Sequence, residues 1–185
     1  MRLVLASASP RRAELLAAAG FQFDVIPADV DETPRHGEGA ADYTLRVAQD
    51  KARHVAASIP DGPAAVLAAD TEVVVDAAIL GKPATPDDAT WMLRLLSGRT
   101  HEVLTAVVLC VKGREWSDVV PTQVEFAPMS DAEIADYVRS GEPMGKAGAY
   151  AIQGYASRFI VRIDGSWSNV VGLPIHAVHR LLAGI

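Results

Sequence analysis

"RLVLASASPRRAELLAAAG", residues 2–20, decides how the fold begins. Residues 2–6, "RLVLA", are a short apolar run and read as a buried strand. Ser9 then stands where a helix N-cap belongs, Pro10 suits the first helical position, and Gly20 suits the stop. Leu15, Leu16 and Ala19 give that helix its apolar stripe. A buried strand feeding straight into a helix begins an α/β arrangement. The junction also puts Arg11 and Arg12 in the helix's first turn. The helix dipole disfavours cations there by about 0.3–1 kcal/mol. A chain that accepts this cost is suited to hold an anion at that point.

Outward from this start, "FQFDVI" (21–26) alternates like a strand, and residues 27–40 are polar and rich in Pro and Gly, hence a loop. A helix is expected from about Ala41 to Ser58, with Leu45, Ala48, Ala52 and Val55 at helical spacing. "AAVLAAD" (64–70) reads as an apolar strand ending in a carboxylate, and "EVVVD" (72–76) continues as strand. "GKP" (81–83) is a turn, and Thr85 caps a helix with Asp87 and Asp88 in its first turn, running to Ser97 and Gly98. "EVLTAVVLCVK" is a long strand that turns at Gly113 into "EWSDVVPTQVEFA". Ser130 and Glu133 make a capping box for a helix ending at Gly141. Residues 141–154 form a glycine-rich loop, "RFIVRID" a strand, and Pro174 opens a last helix. Helices and strands alternate early and longer paired strands follow, which predicts an α/β fold with a mixed sheet, as a single domain over residues 1–185.

Half of the 185 residues are apolar, enough for a substantial core. A net charge of −6 is a poor footprint for binding a nucleic-acid polymer, which depends on phosphate neutralisation. It leaves room for a small anion at a local basic cluster. The lone Cys110, inside "AVVLCV", permits no intrachain disulfide and reads as a buried strand residue. The N-terminal apolar stretch is too short for a signal peptide, and no window is long enough to span a membrane. The expectation is a soluble, cytoplasmic protein without a membrane partner.

Four groups of residues could carry chemistry. Ser7, Ser9, Arg11 and Arg12 combine helix-start amides, hydroxyls and guanidiniums, the makings of a phosphate site. The same residues also suit an ordinary capped surface helix. No Walker A or GxGxxG pattern is present. Asp70 with Thr71 could hold a divalent metal or take a proton from water, or simply form a turn. Lys51, Lys82 and Lys146 are each isolated in sequence, as solvated lysines are, and Glu32 in "DVDET" resembles any loop acid. Gln153 in "AYAIQG" could read a base edge through its amide, or be a surface residue. His176 and His179 stand at i and i+3 but lack further ligands at metal spacing, and no Ser-His-Asp arrangement is visible.

Taken together, "LASASPRRAELL", "DVDETP", "VAQDKA", "AADT", "GKP", "LSGRTHEVLTAV", "YVRSGEPMGKAGAYAIQG" and "GSWSNVVGLP" resemble the Maf family of nucleoside triphosphate pyrophosphatases, in order and over nearly the whole chain. The resemblance implies a two-lobed mixed β-sheet with flanking helices and a substrate cleft, similar to inosine triphosphatases, usually as a homodimer. It implies hydrolysis of a nucleoside triphosphate to the monophosphate and pyrophosphate with a divalent metal cation, Mg²⁺ or Mn²⁺. Family roles fall on Asp70 as the proton acceptor and on Ser9, Arg12, Lys51 and Lys82 as phosphate-side residues. Glu32 and Asp70 become the acids for the metal.

The branch of the family acting on dTTP and UTP has an arginine after the proline, a threonine after the aspartate and a glutamine in "IQG". Arg11, Thr71 and Gln153 match all three. A branch resembling a 7-methyl-GTP pyrophosphatase typically has tryptophan and glutamate at the first and last of these. Methylated guanine is cationic, which an aromatic face and a carboxylate favour. Neutral uracil or thymine presents one N–H between two carbonyls, which a glutamine amide complements without burying an unpaired charge. The role implied is cleansing of the nucleotide pool. A different class of reading, also linked to the family, is a non-catalytic nucleotide-binding regulator of septum formation.

Overall fold

The apolar run after Arg2 does become a strand, β1 (Arg2–Ala6), and the chain turns at once into helix α1 (Pro10–Ala18). A computed structural model describes residues 1–59 and 64–185. The first helix ends as its glycine predicts. Gly20 takes φ +82°, its N–H bonds the Ala17 carbonyl at 2.9 Å, and the Phe21 N–H bonds the Leu16 carbonyl at 3.2 Å. This crossed pair satisfies carbonyls that the helix end would leave orphaned. Ser9 occupies the N-cap position, but its side chain makes no capping bond. Its backbone N–H instead bonds Ser7 Oγ at 3.1 Å.

The elements that follow are β2 (Asp24–Val25), α2 (Ala40–Ser58), β3 (Ala64–Val75), β4 (Ala78–Leu80), α3 (Pro86–Leu96), β5 (Thr100–Val111), β6 (Arg114–Phe126), α4 (Asp131–Arg139), β7 (Ile160–Asp164), α5 (Trp167–Val171) and α6 (Ile175–Ala183). The predicted capping box of Ser130 with Glu133 forms on α4, and the Thr85 cap of α3 proves to be a second such box, closed by Asp88. The strands make one mixed seven-stranded sheet in the order β2-β1-β3-β5-β6-β7, with β4 paired to β3. β1 runs parallel to β2 and β3, whereas β4 on β3 and β7 on β6 are antiparallel. The expected α/β fold with a mixed sheet is therefore the one observed.

Several local expectations need correction. "FQFDVI" is not a six-residue strand: only Asp24 and Val25 pair with β1. Phe21 and Phe23 instead pack, partly buried, against the core, and that produced the alternation. Asp70 does not end a strand. β3 runs unbroken from Ala64 to Val75, so the carboxylate lies within it. The stretch read as strand through Asp76 hides a tight hairpin into β4, with Asp76 at φ +50° and Ala77 at φ +64°. Such a two-residue turn needs φ above zero at both positions, and Asp-Ala lacks the usual glycine signal. β7 begins at Ile160, after a short 3₁₀ turn over Tyr155–Phe159. The five-residue helix α5 has no strong sequence signature.

The chain divides into two compact units: residues 1–71, 105–120 and 172–185, and residues 72–104 and 121–171. In the first unit the sheet is covered on both faces. Leu3, Leu5, Ala65, Leu67, Ala69, Val107 and Leu109 share one cluster with Leu16 of α1 and with Ala177 and Val178 of α6. Val4, Ala6, Val66, Ala68, Ala106, Val108 and Cys110 share the other with Ala48, Ala52 and Val55 of α2. Odd-numbered residues of β1, β3 and β5 thus face α1 and α6, and even-numbered ones face α2, as the two-residue strand period requires. The second unit buries Leu80, Leu93, Leu96, Phe126, Ile134 and Tyr137, and stacks His101, Phe126 and Tyr150 edge to face.

Candidate active site

Strand parity builds the centre of the site. Asp70 is even, so its side chain falls on the α2 face; Thr71 is odd and falls on the α1 face. Each meets a cation. Lys51 on α2 belongs to the helix's buried face with Val47, Ala48 and Val55. Its Nζ lies 2.7 Å from Asp70 Oδ1 and 2.7 Å from Glu32 Oε1. Lys51 and Asp70 are both buried, and the Glu32 side chain is 41 % exposed, so the row opens towards water at its Glu32 end. Burying this pair is tolerable only because the charges are matched and hydrogen-bonded. Asp70 Oδ2 is buried and has no hydrogen-bond partner among the described residues. A carboxylate oxygen in that state is an acceptor waiting for a proton donor or a cation.

Glu32 sits in a loop, yet α2 fixes it. The Tyr43 hydroxyl donates to the Glu32 carbonyl at 2.7 Å. One turn on, Arg46 donates to the Thr33 carbonyl at 3.1 Å and grips Glu38 with two bonds of 2.6 and 2.9 Å. That fork holds the Glu38 carboxyl down at about 2. Tyr43 and Arg46 were not among the residues singled out from sequence. Their spacing of three on one helix was the available signal.

On the opposite face Arg12 turns away from the helix axis. Its Nε donates to the Gly172 carbonyl at 2.8 Å, one terminal nitrogen to Ser7 Oγ at 3.3 Å, and the other to Thr71 Oγ1 at 3.0 Å. These three acceptors are neutral, and the bonds to them orient the guanidinium fork. Gly172 has φ +124°, a conformation closed to residues with a Cβ, and this aims its carbonyl at Arg12. Thr71 Oγ1 also lies 3.0 Å from Thr105 Oγ1. Arg11 is half-buried on the same turn, and Ser9 is half-buried at its start.

The first unit thus gathers Glu32, Lys51 and Asp70 into one row, and Arg12 with Thr71 into another. Lys82 and Gln153 belong to the second unit, and both are exposed. There the Gly148 N–H bonds the Gly81 carbonyl at 3.1 Å, tying the glycine-rich loop to the turn that carries Lys82. Gly148 sits at φ +65°, and a Cβ there would come within 2.8 Å of Val73. Lys146 donates to the Glu142 carbonyl within its own loop. Glu142 accepts from the Tyr137 hydroxyl at 2.8 Å and from the Tyr155 N–H at 3.0 Å, closing the segment that presents Gln153. His176 and His179 are exposed, and among the described residues no group of three or more His, Cys, Asp or Glu could hold a metal. Also among the described residues, no helix is long and apolar enough to cross a membrane.

Residues 2–185 match the family described as Maf-like protein. The chain is 53 % identical to the dTTP/UTP pyrophosphatase of Koribacter versatilis, over 98 % of this chain and 93 % of that protein. It is 54 % identical to the protein of the same name from Anaeromyxobacter dehalogenans, over 98 % and 92 %. With the one from Geobacter metallireducens it shares 52 %, over 94 % and 91 %. A crystal structure of protein VC0702 from Vibrio cholerae covers 76 % of this chain and 78 % of its own at 11 % identity and a TM-score of 0.41, a likeness too slight to bear on the fold.

Proposed function

The chain belongs to the Maf family, and from that premise we propose that it hydrolyses dTTP and UTP to the monophosphates and pyrophosphate. The relatives of that name and the match of Arg11, Thr71 and Gln153 to the dTTP/UTP branch support the choice of base. The chemistry rests above all on one observation: Asp70 holds Lys51 with one oxygen, while its other, buried oxygen has no partner among the described residues. Water approaching the α-phosphorus gives its proton to that second oxygen. The new P–O bond forms as the bond to the β-phosphate oxygen breaks, and pyrophosphate carries the electron pair away.

The leaving group is highly anionic, so positioning and charge neutralisation govern the rate. Arg12, oriented by its bonds to Gly172, Ser7 and Thr71, and Lys51 supply positive charge in the first unit, and Lys82 keeps the phosphate-side role that the family resemblance implies. Ser9 adds a hydroxyl beside the α1 start, where helix amides favour phosphate. Gln153 reads the N–H and carbonyls of uracil or thymine through its neutral amide. A divalent cation, Mg²⁺ or Mn²⁺, fits this donor set. Glu32, beside Lys51, would hold it, with Asp70 Oδ2 as a ligand only in the alternative to its role as proton acceptor, and Mg²⁺ commonly takes one or two carboxylates plus substrate oxygens. Such an ion, when bound, would supply positive charge that offsets the phosphate oxygens.

Purified protein incubated with Mg²⁺ or Mn²⁺ and a panel of dTTP, UTP, CTP, GTP and 7-methyl-GTP tests the reading. The expected result is monophosphate and pyrophosphate from dTTP and UTP in preference to the rest. Preferred turnover of 7-methyl-GTP would overturn the assignment of base, and tight binding without turnover would overturn the hydrolytic reading.

A further inference from the structure

Thr105 lies on β5, wholly buried, on the face whose next two odd positions are Val107 and Leu109. Packing alone would be served there by valine, which has the same shape without a hydroxyl to satisfy. The hydroxyl lies 3.0 Å from Thr71 Oγ1, and Thr71 Oγ1 in turn accepts from Arg12. We propose that Thr105 is a positioning residue for the triphosphate: through Thr71 it fixes the Arg12 fork. The inference rests on the reading of Arg12 as a phosphate-side residue.

The reasoning is a count of protons. A threonine hydroxyl has one hydrogen and two lone pairs, and the hydrogen rotates. Arg12 can only donate, so the Thr71 hydrogen must point elsewhere for that bond to exist. The Gly172 carbonyl is one destination, but at 3.4 Å it is a weak one. Thr105 offers two better arrangements. It accepts the Thr71 hydrogen, or it donates its own while the Thr71 hydrogen turns to Gly172. Either way a lone pair of Thr71 stays aimed at Arg12. Without Thr105 the Thr71 hydrogen is left with the long contact to Gly172, and the Arg12 fork loses a fixed point.

The experiment compares Thr105→Val with Thr105→Ser. The valine variant is expected to raise KM for dTTP and UTP about tenfold, or 1.4 kcal/mol, with kcat within about threefold of wild type. The serine variant restores KM to within about threefold because it keeps the hydroxyl. Thr71→Val/Thr105→Val should be no worse than Thr71→Val alone, because the two act in series. A purely structural role would reduce the active fraction, lowering apparent kcat and leaving KM unchanged. That pattern, a serine variant as impaired as valine, or full additivity in the double variant would overturn the proposal. If Thr105→Val does not fold, Thr105→Ala is read the same way. Wild-type turnover is measured first. Its absence would refute the proposed hydrolysis, and the same variants would then be compared by Kd for inorganic triphosphate, with the same outcomes deciding.

Discussion

Replacing Asp70 by asparagine separates the chemistry of the site from its architecture. Lys51 Nζ lies 2.7 Å from Asp70 Oδ1 and 2.7 Å from Glu32 Oε1. Asparagine keeps a carbonyl oxygen for Lys51, and Lys51 keeps Glu32, so no buried charge is stranded. The structural loss is the difference between a charge-assisted bond and a neutral one, about 1 kcal/mol. In a protein of this size that lowers Tm by about 2–4 °C. The chemical loss is larger. The buried oxygen that now lacks a partner becomes an amide nitrogen, which cannot take a proton from water. Removing a positioned general base typically costs about 10²–10⁴ in rate. The assay pairs pyrophosphate release from saturating dTTP with a thermal melt followed by circular dichroism. Turnover within tenfold of wild type would remove Asp70 as proton acceptor. A Tm fall beyond about 10 °C would refute the claim that Lys51 stays neutralised.

Lys51→Met does the reverse, since it leaves the Asp70 carboxylate buried without its ion-pair partner. The expected cost is about 3–5 kcal/mol, or a Tm lower by about 6–20 °C, and a melt within 3 °C of wild type would contradict it. Acid sensitivity should trace to His101, whose imidazole burial pushes down from 6.5 to about 4. The unfolded chain takes up this proton below pH 6.5 and the folded one only near 4, so stability falls as pH drops through that window. At about pH 4.5 the loss is about 2–3 kcal/mol. Urea unfolding at pH 7 and pH 4.5 should show wild type losing that much more than His101→Gln; equal losses would mean the ring is not held neutral.

The local grammar of the fold was legible in the sequence because it acts over a few residues. The cap at Thr85, the capping box at Ser130, the stop at Gly20 and the alternating strands are each decided within about four positions. The hairpin at Asp76 and Ala77 was missed for the same reason, since its two left-handed residues carry no glycine to announce them. In the candidate site, the identities of Asp70, Lys51, Arg12 and Glu32 came from recurring family stretches, while their relations did not. Lys51, Lys82 and Lys146 look alike in sequence as isolated lysines.

By itself, then, the sequence determined most of the strands and helices, the mixed α/β class, and the set of residue types available for a triphosphate. Tertiary structure alone decided which lysine is buried, because that depends on α2 lying over the even-numbered face of β3, where Asp70 points. It also decided what Arg12 is for. The cost of a cation at a helix start is set by the first turn, but its partners Thr71 and Gly172 lie 59 and 160 residues away. Periodicity assigns a side chain to a face of its own element, and only the packing of distant elements says what waits on that face.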